Sequence, residues 1–215
     1  MGMHEYLKSL SDLEMINRAP GYFKFEQHNV AAHSFKVTQA AQMLGDIEEQ
    51  SGNEVDWRSL YEKALNHDYT ERFKRFIGDI KTPVKYATPE LREMLAKADD
   101  SLTDNFIETE IPPEFRQAYR RRFSEGKDDS LEGRILSVAD KIDLMYESFG
   151  EIQKGNPEPV YMDIYRSSLE SIMEFHEMAS VKYFLKKILP ELLKDNAGTQ
   201  SQTQLAVITT QIIQR

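Results

Sequence analysis

The sequence has no cysteine. Disulfides, thiolate metal sites and cysteine nucleophiles are excluded together, which leaves any metal to His, Asp and Glu. Histidine is scarce, five in 215 residues, so each position carries information. A surplus of positive charge is also missing: 27 Lys and Arg against 36 Asp and Glu give a formal charge of −9. Attraction to a nucleic-acid polymer is therefore disfavoured, and only local patches would draw polyanions. No run approaches the ~20 apolar residues needed to span a bilayer, so no membrane partner is expected. Met1 to Ala19 carries charges throughout, where a signal peptide would be apolar. The expectation is a soluble, cytoplasmic protein.

What is present is a globular composition, 40% hydrophobic and 29% charged. Apolar residues recur at three- and four-residue steps, as in Val30, Phe35, Val37, Ala40, Ala41 and Leu44, or Ile135, Val138, Ile142 and Met145. No sustained alternation of the strand kind occurs. Breakers and caps predict helices near 3–17, 28–50, 56–67, 88–108, 112–124, 130–153, 159–177 and 178–195, which makes the fold class all-α, a helical bundle. The stretches around Pro20 and Gly21 and around Gly78 and Pro83 read as loops joining helices. Residues 1–195 read as one domain. Residues 196–215 change character, with Arg215 as their single charge and with Leu205, Ile208 and Ile212 on one stripe. They form either a docked helix or a loose tail. The tyrosines, the phenylalanines and Trp57 are expected in the core.

Chemistry concentrates at His67 and Asp68, adjacent at the end of an apolar helix containing Leu60, Tyr61, Ala64 and Leu65. Together they offer one nitrogen and one oxygen ligand. His33 shares a helical stripe with Val37, Ala40 and Leu44, which turns it inward. Asp140 lies among Val138, Ala139 and Ile142. A buried carboxylate costs several kcal/mol unless a cation or a set of donors compensates it, and either a divalent ion or a neighbour such as Lys141 or Arg134 would serve. Arg116, Arg120, Arg121, Arg122 and Lys127 form a basic stretch interleaved with Tyr119 and Phe123, read as a solvated face or as a guide for an anionic substrate. His4, His28 and His176 have no assignable role, beyond His28 helping Asn29 to open a helix.

The order His33, then His67 and Asp68, then Asp140, all on helices, resembles the HD-domain metal-dependent phosphohydrolases. The blocks Met15 to Pro20, Glu26 to Ser34, His67 to Glu71 and Gly78 to Tyr86, ending in Val138-Ala139-Asp140-Lys141, are similar to the bacterial 5′-deoxynucleotidase branch. The resemblance implies an HD-domain bundle with a metal site between helices, in which His33, His67, Asp68 and Asp140 hold one divalent ion: Co, Mn, Ni, Fe, Zn or Mg. It also implies a phosphohydrolase of nucleoside 5′-monophosphates, a small-molecule substrate, and a homodimer. Arg18 matches the phosphate-binding arginine, and Lys85 is a second phosphate candidate. Glu71, three residues beyond Asp68, and Asp79 match acid-base positions, although Glu71 also reads as a solvated residue and Asp79 as a turn residue. Ala19 stands where those relatives carry Trp, which leaves the choice of sugar open, and the segment from Asp68 to Gly78 is longer than theirs. The alternatives are an HD phosphohydrolase of a triphosphate or an alarmone, and a non-catalytic nucleotide-binding HD module.

Overall fold

The computed structural model describes residues 3–74, 87–124, 126–195 and 200–214. Its α-helices are α1 (His4–Ser9), α2 (Val30–Gln50), α3 (Trp57–Asn66), α4 (Pro89–Glu110), α5 (Arg116–Ser124), α6 (Leu131–Gln153), α7 (Val160–Met173), α8 (Ala179–Tyr183), α9 (Leu189–Leu192) and α10 (Gln200–Ile213). Among the described residues the only strand-like pairing is one antiparallel bridge between Asn17 and Asn29. The first expected helix shortens to α1 followed by a 3₁₀ stretch, Leu10–Met15, and the last expected segment is divided by a π-helical turn, Phe184–Ile188. No helix among the described residues is long and apolar enough to cross a membrane.

The chain folds into two compact units. The first comprises Met1–Tyr22, Gln27–Phe35 and Glu62–Gly126; the second comprises Phe23–Glu26, Lys36–Tyr61 and Lys127–Arg215. In the first, Leu13, Ile16, Val30, Tyr69, Phe106, Ile107, Ile111 and Tyr119 form the core. Tyr69 stacks on Phe123 with ring centres 4.5 Å apart, and its hydroxyl lies 2.7 Å from Ser9 Oγ. The Arg72 guanidinium lies over the Phe106 ring at 4.7 Å and donates to the Tyr69 hydroxyl at 3.0 Å. The arginine stripe of α5 is matched by acids: Arg116 pairs with Glu108, Arg120 with Asp104 and Glu108, and Arg121 and Arg122 with Glu62. Most of these pairs are solvent-exposed and add little to stability. They do, however, neutralise a face that the sequence shows only as positive.

In the second unit α6 and α7 pack along each other, burying Ile135, Leu136, Val138, Ala139, Ile142 and Met145 from α6 and Tyr165, Leu169 and Ile172 from α7. Gly45 permits a close crossing, because a Cβ there would stand 2.9 Å from Trp57 Cη2. The C-terminal segment is a docked helix: Leu205, Ile208 and Ile212 are buried, and Thr209 Oγ1 lies 2.9 Å from the Tyr165 hydroxyl.

Several aromatics leave the core that the composition suggested for them. Phe35 is 64% exposed, although its α2 neighbours Val37, Ala41 and Leu44 are wholly buried. Phe23 and Phe25 are half exposed and stack edge to face at 5.0 Å. Trp57 is half-buried, and its Nε1 donates to Glu49 Oε1 at 2.8 Å. A helix of 3.6 residues per turn places position 35 about 200° around the axis from position 37, so an apolar count at three- and four-residue steps admits outliers that face solvent.

Candidate metal centre

Local structure in the first unit carries three site residues to one point. Asn29 opens α2, its Oδ1 accepting the amide of Ala32 at 2.8 Å, as an N-cap does. His33 follows in the first turn and is fully buried. The strand-like bridge ties the preceding segment to this helix start, with Arg18 N donating to His28 O at 2.8 Å and Val30 N to Ile16 O at 3.0 Å. Between Arg18 and Pro20, Ala19 adopts φ of +44°, a left-handed conformation that costs a non-glycine residue ~1 kcal/mol. The chain thus turns sharply just after the arginine.

The second contribution comes from the end of α3. His67 lies just beyond the helix, and its Nδ1 lies 2.8 Å from the carbonyl oxygen of Ala64. A carbonyl can only accept, so Nδ1 carries the proton, and in the neutral ring Nε2 is left to present its lone pair. Asp68 then starts a 3₁₀ stretch, Tyr69–Lys74, through the hydrogen bond from Glu71 N to Asp68 O at 3.1 Å. Because residues three apart eclipse in a 3₁₀ turn, the half-buried Glu71 stands over the face that Asp68 presents.

The three candidate ligand atoms converge. His33 Nε2 and His67 Nε2 are 3.2 Å apart, and Asp68 Oδ2 lies 3.4 Å from the first and 3.5 Å from the second. Ligands ~2.1 Å from one ion are separated by ~3.0 Å in octahedral and ~3.4 Å in tetrahedral geometry. The observed triangle fits a divalent ion at its centre with little movement. Arg18 Nη1 also reaches Asp68 Oδ2, at 3.2 Å. Burial by itself would raise the Asp68 pKa, but His67, then His33 and Arg18, outweigh it and hold the carboxyl well below the usual carboxylate range. A carboxylate kept ionised beside two imidazoles is chemically prepared for a cation.

Asp140 belongs to the second unit, on the inward face of α6, with its side chain 7% exposed. Lys127 Nζ lies 2.5 Å and Lys141 Nζ 3.5 Å from its Oδ2. One helical turn and two turns further along α6, Asp143 and Glu147 share Lys36, at 3.0 and 2.9 Å. Burial alone would lower the Lys36 pKa, yet these two carboxylates raise it above the ordinary lysine value. The structure therefore brings His33, His67, Asp68 and Arg18 together in one unit and sets Glu71 beside them. Asp79 and Lys85 lie outside the described residues. The sequence reading missed the attachment of Lys127 to Asp140, having placed Lys127 with the arginines of α5. The available signal was Gly126, a residue of poor helix propensity standing between the arginine stripe and Lys127.

The family described as 5′-deoxynucleotidase YfbR-like matches residues 5–192. A 5′-deoxynucleotidase of Photorhabdus laumondii is 26% identical over 189 residues, covering 87% of this chain and 92% of its own length. The 5′-deoxynucleotidase YfbR of Escherichia coli is 25% identical over 191 residues, covering 88% of this chain and 92% of its own. Among solved structures, an HD-domain phosphohydrolase from Listeria innocua is 58% identical, with a TM-score of 0.90, covering 100% of this chain and 99% of its own.

Proposed function

This chain belongs to the YfbR-like 5′-deoxynucleotidase family, and we propose that it is a metal-dependent phosphohydrolase releasing inorganic phosphate from nucleoside 5′-monophosphates. The observation that carries the reading is the convergence of His33, His67 and Asp68 within 3.5 Å of one another, with the two imidazole Nε2 atoms facing one carboxylate oxygen. In this proposal Asp140 is the fourth ligand, so the set is two nitrogens and two oxygens for one divalent ion of the Co, Mn, Ni, Fe, Zn or Mg group. When bound, such an ion lowers the pKa of a coordinated water towards neutrality and offsets phosphoryl charge.

The remaining roles fall to the side chains. Arg18, on the turn before α2, presents a planar fork suited to two phosphate oxygens. Glu71 orients the attacking water, which forms the new bond to phosphorus as the bond to the 5′ oxygen breaks, and returns a proton to the departing nucleoside. Asp79 is proposed to assist in holding that water, and Lys85 to add charge beside the phosphate. Residues 1–195 are proposed as the catalytic domain, with α10 docked to it. The enzyme is proposed to act in the cytoplasm as a homodimer, a reading supported by Val207 and Ile213, which remain about half exposed on α10.

The test is elemental analysis of purified protein, followed by phosphate release from ribo- and deoxyribonucleoside 5′-monophosphates with Mn, Co, Mg, Zn or no added metal. About one ion per chain with release from monophosphates is expected. The ratio of deoxyribose to ribose substrates then reports what Ala19 does where relatives carry a bulky ring. Bound metal with no release from any monophosphate would overturn the substrate class, and absence of metal under every loading condition would overturn the ligand set.

A further inference from the structure

Lys127 follows the arginine stripe in sequence but does not share its use. Each α5 arginine meets an acid of the first unit, whereas Lys127 Nζ sits 2.5 Å from Oδ2 of Asp140, thirteen residues onward and nearly buried. The turn that delivers it is built in detail. Asp128 Oδ1 accepts the amide N–H and the hydroxyl of Ser130, at 3.1 and 2.5 Å. Ser130 Oγ in turn accepts the Gly133 amide at 3.0 Å, capping α6. A Cβ on Gly133 would stand 2.5 Å from the Asp128 backbone oxygen and 2.6 Å from its backbone nitrogen, so only glycine lets this turn press onto the helix. From there, seven residues or ~10 Å along α6 lead to Asp140, within reach of a lysine side chain.

Lys141 already provides a cation for the same carboxylate oxygen, at 3.5 Å. A second ammonium, brought from off the helix by a dedicated turn, exceeds what compensating one buried carboxylate requires. An ammonium and a divalent ion on one carboxylate oxygen repel strongly at that range. We propose that Lys127 is a positioning residue of the metal site: it holds Asp140 in the ion-free enzyme, competes with the divalent ion for that carboxylate, and thereby sets the affinity for metal. The inference rests on Asp140 being a ligand, as in the function proposed above.

The test is Mn²⁺ affinity of the full chain, measured by competition with a calibrated chelator, for the wild type, Lys127→Met, Lys127→Arg and Asp140→Asn. Lys127 is 41% exposed at its side chain, so its variants are expected to fold. Loss of the competing charge is expected to tighten Mn²⁺ binding in Lys127→Met by about tenfold, while Lys127→Arg, which keeps the charge, stays near the wild type. The metal-stripped Lys127→Met protein should also unfold at a lower temperature than the stripped wild type, and the difference should vanish when Mn²⁺ is saturating. Equal or weaker Mn²⁺ affinity in Lys127→Met, alongside loss of binding in Asp140→Asn, overturns the inference and leaves the ligand set standing. Wild-type affinity in Asp140→Asn overturns both.

Discussion

His67 donates its Nδ1 proton to the carbonyl oxygen of Ala64 at 2.8 Å, one turn back on the helix that ends beside it. This hydrogen bond fixes both the tautomer and the plane of the ring, leaving Nε2 to face His33 and Asp68. His67→Ala is therefore expected to lose the ion and, with it, at least a thousandfold in phosphate release. Elemental analysis and a phosphate assay on the same preparation check this, and full activity after stripping and reloading the metal would remove His67 from the site.

Arg18 should behave differently, because it touches the site through Asp68 Oδ2 at 3.2 Å without offering a ligand atom. Arg18→Ala is expected to retain its metal and to raise KM for a nucleoside monophosphate by about ten- to a hundredfold, the usual scale for a lost charged hydrogen bond to phosphate. Unchanged kinetics would assign the phosphate to another group.

Glu48 is a structural anchor within the second unit. Its buried carboxylate accepts both the amide N–H and the hydroxyl of Ser180, at 2.8 and 2.6 Å, and the Asn53 amide at 2.6 Å, so it secures the first turn of α8. Glu48→Ala leaves these donors unpartnered and is expected to cost about 2–4 kcal/mol in urea unfolding. Metal content should stay at the wild-type level.

Tyr161 is one contributor to the alkaline limit of stability, beside other tyrosines whose pKa burial raises. Its hydroxyl donates to the Phe23 carbonyl at 2.9 Å. Burial, aided by Glu151, Glu158 and Glu147, pushes its pKa from 10.0 up to about 12. The fold thus favours the protonated form, so this contribution is complete below pH 10 and is lost as pH rises towards about 12. Tyr161→Phe should flatten that decline by up to about 1.4 kcal/mol per pH unit within the window. Urea unfolding of both proteins across the window provides the check, and parallel declines would exclude Tyr161 as the cause.

Much of the fold was legible because helix-forming periodicity is a local property. The stripes through Val37, Ala41 and Leu44, and through Ile135, Val138, Ile142 and Met145, are buried as their spacing predicts. The inward turn of His33 followed from the same stripe, and the pairing of His67 with Asp68 was visible in the bare order of residues. Less legible were the exposed aromatics. Phe35 occupies a position that an apolar count assigns to the core, yet the backbone carries it to solvent.

By itself, then, the sequence determined an all-helical chain, restricted any metal to nitrogen and oxygen ligands, and set the order of the candidate ligand residues. Tertiary structure alone decided which charges meet. Glu48 finds Ser180 across 132 positions, Lys127 leaves its arginine neighbours for Asp140, and Leu205, Ile208 and Ile212 tie down a helix whose composition equally suits a loose tail. The physical reason is one of range. Helix formation depends on residues three and four apart, whereas the partner of a buried charge or an apolar stripe depends on where distant backbone passes, and on contacts as close as the one that Gly133 allows.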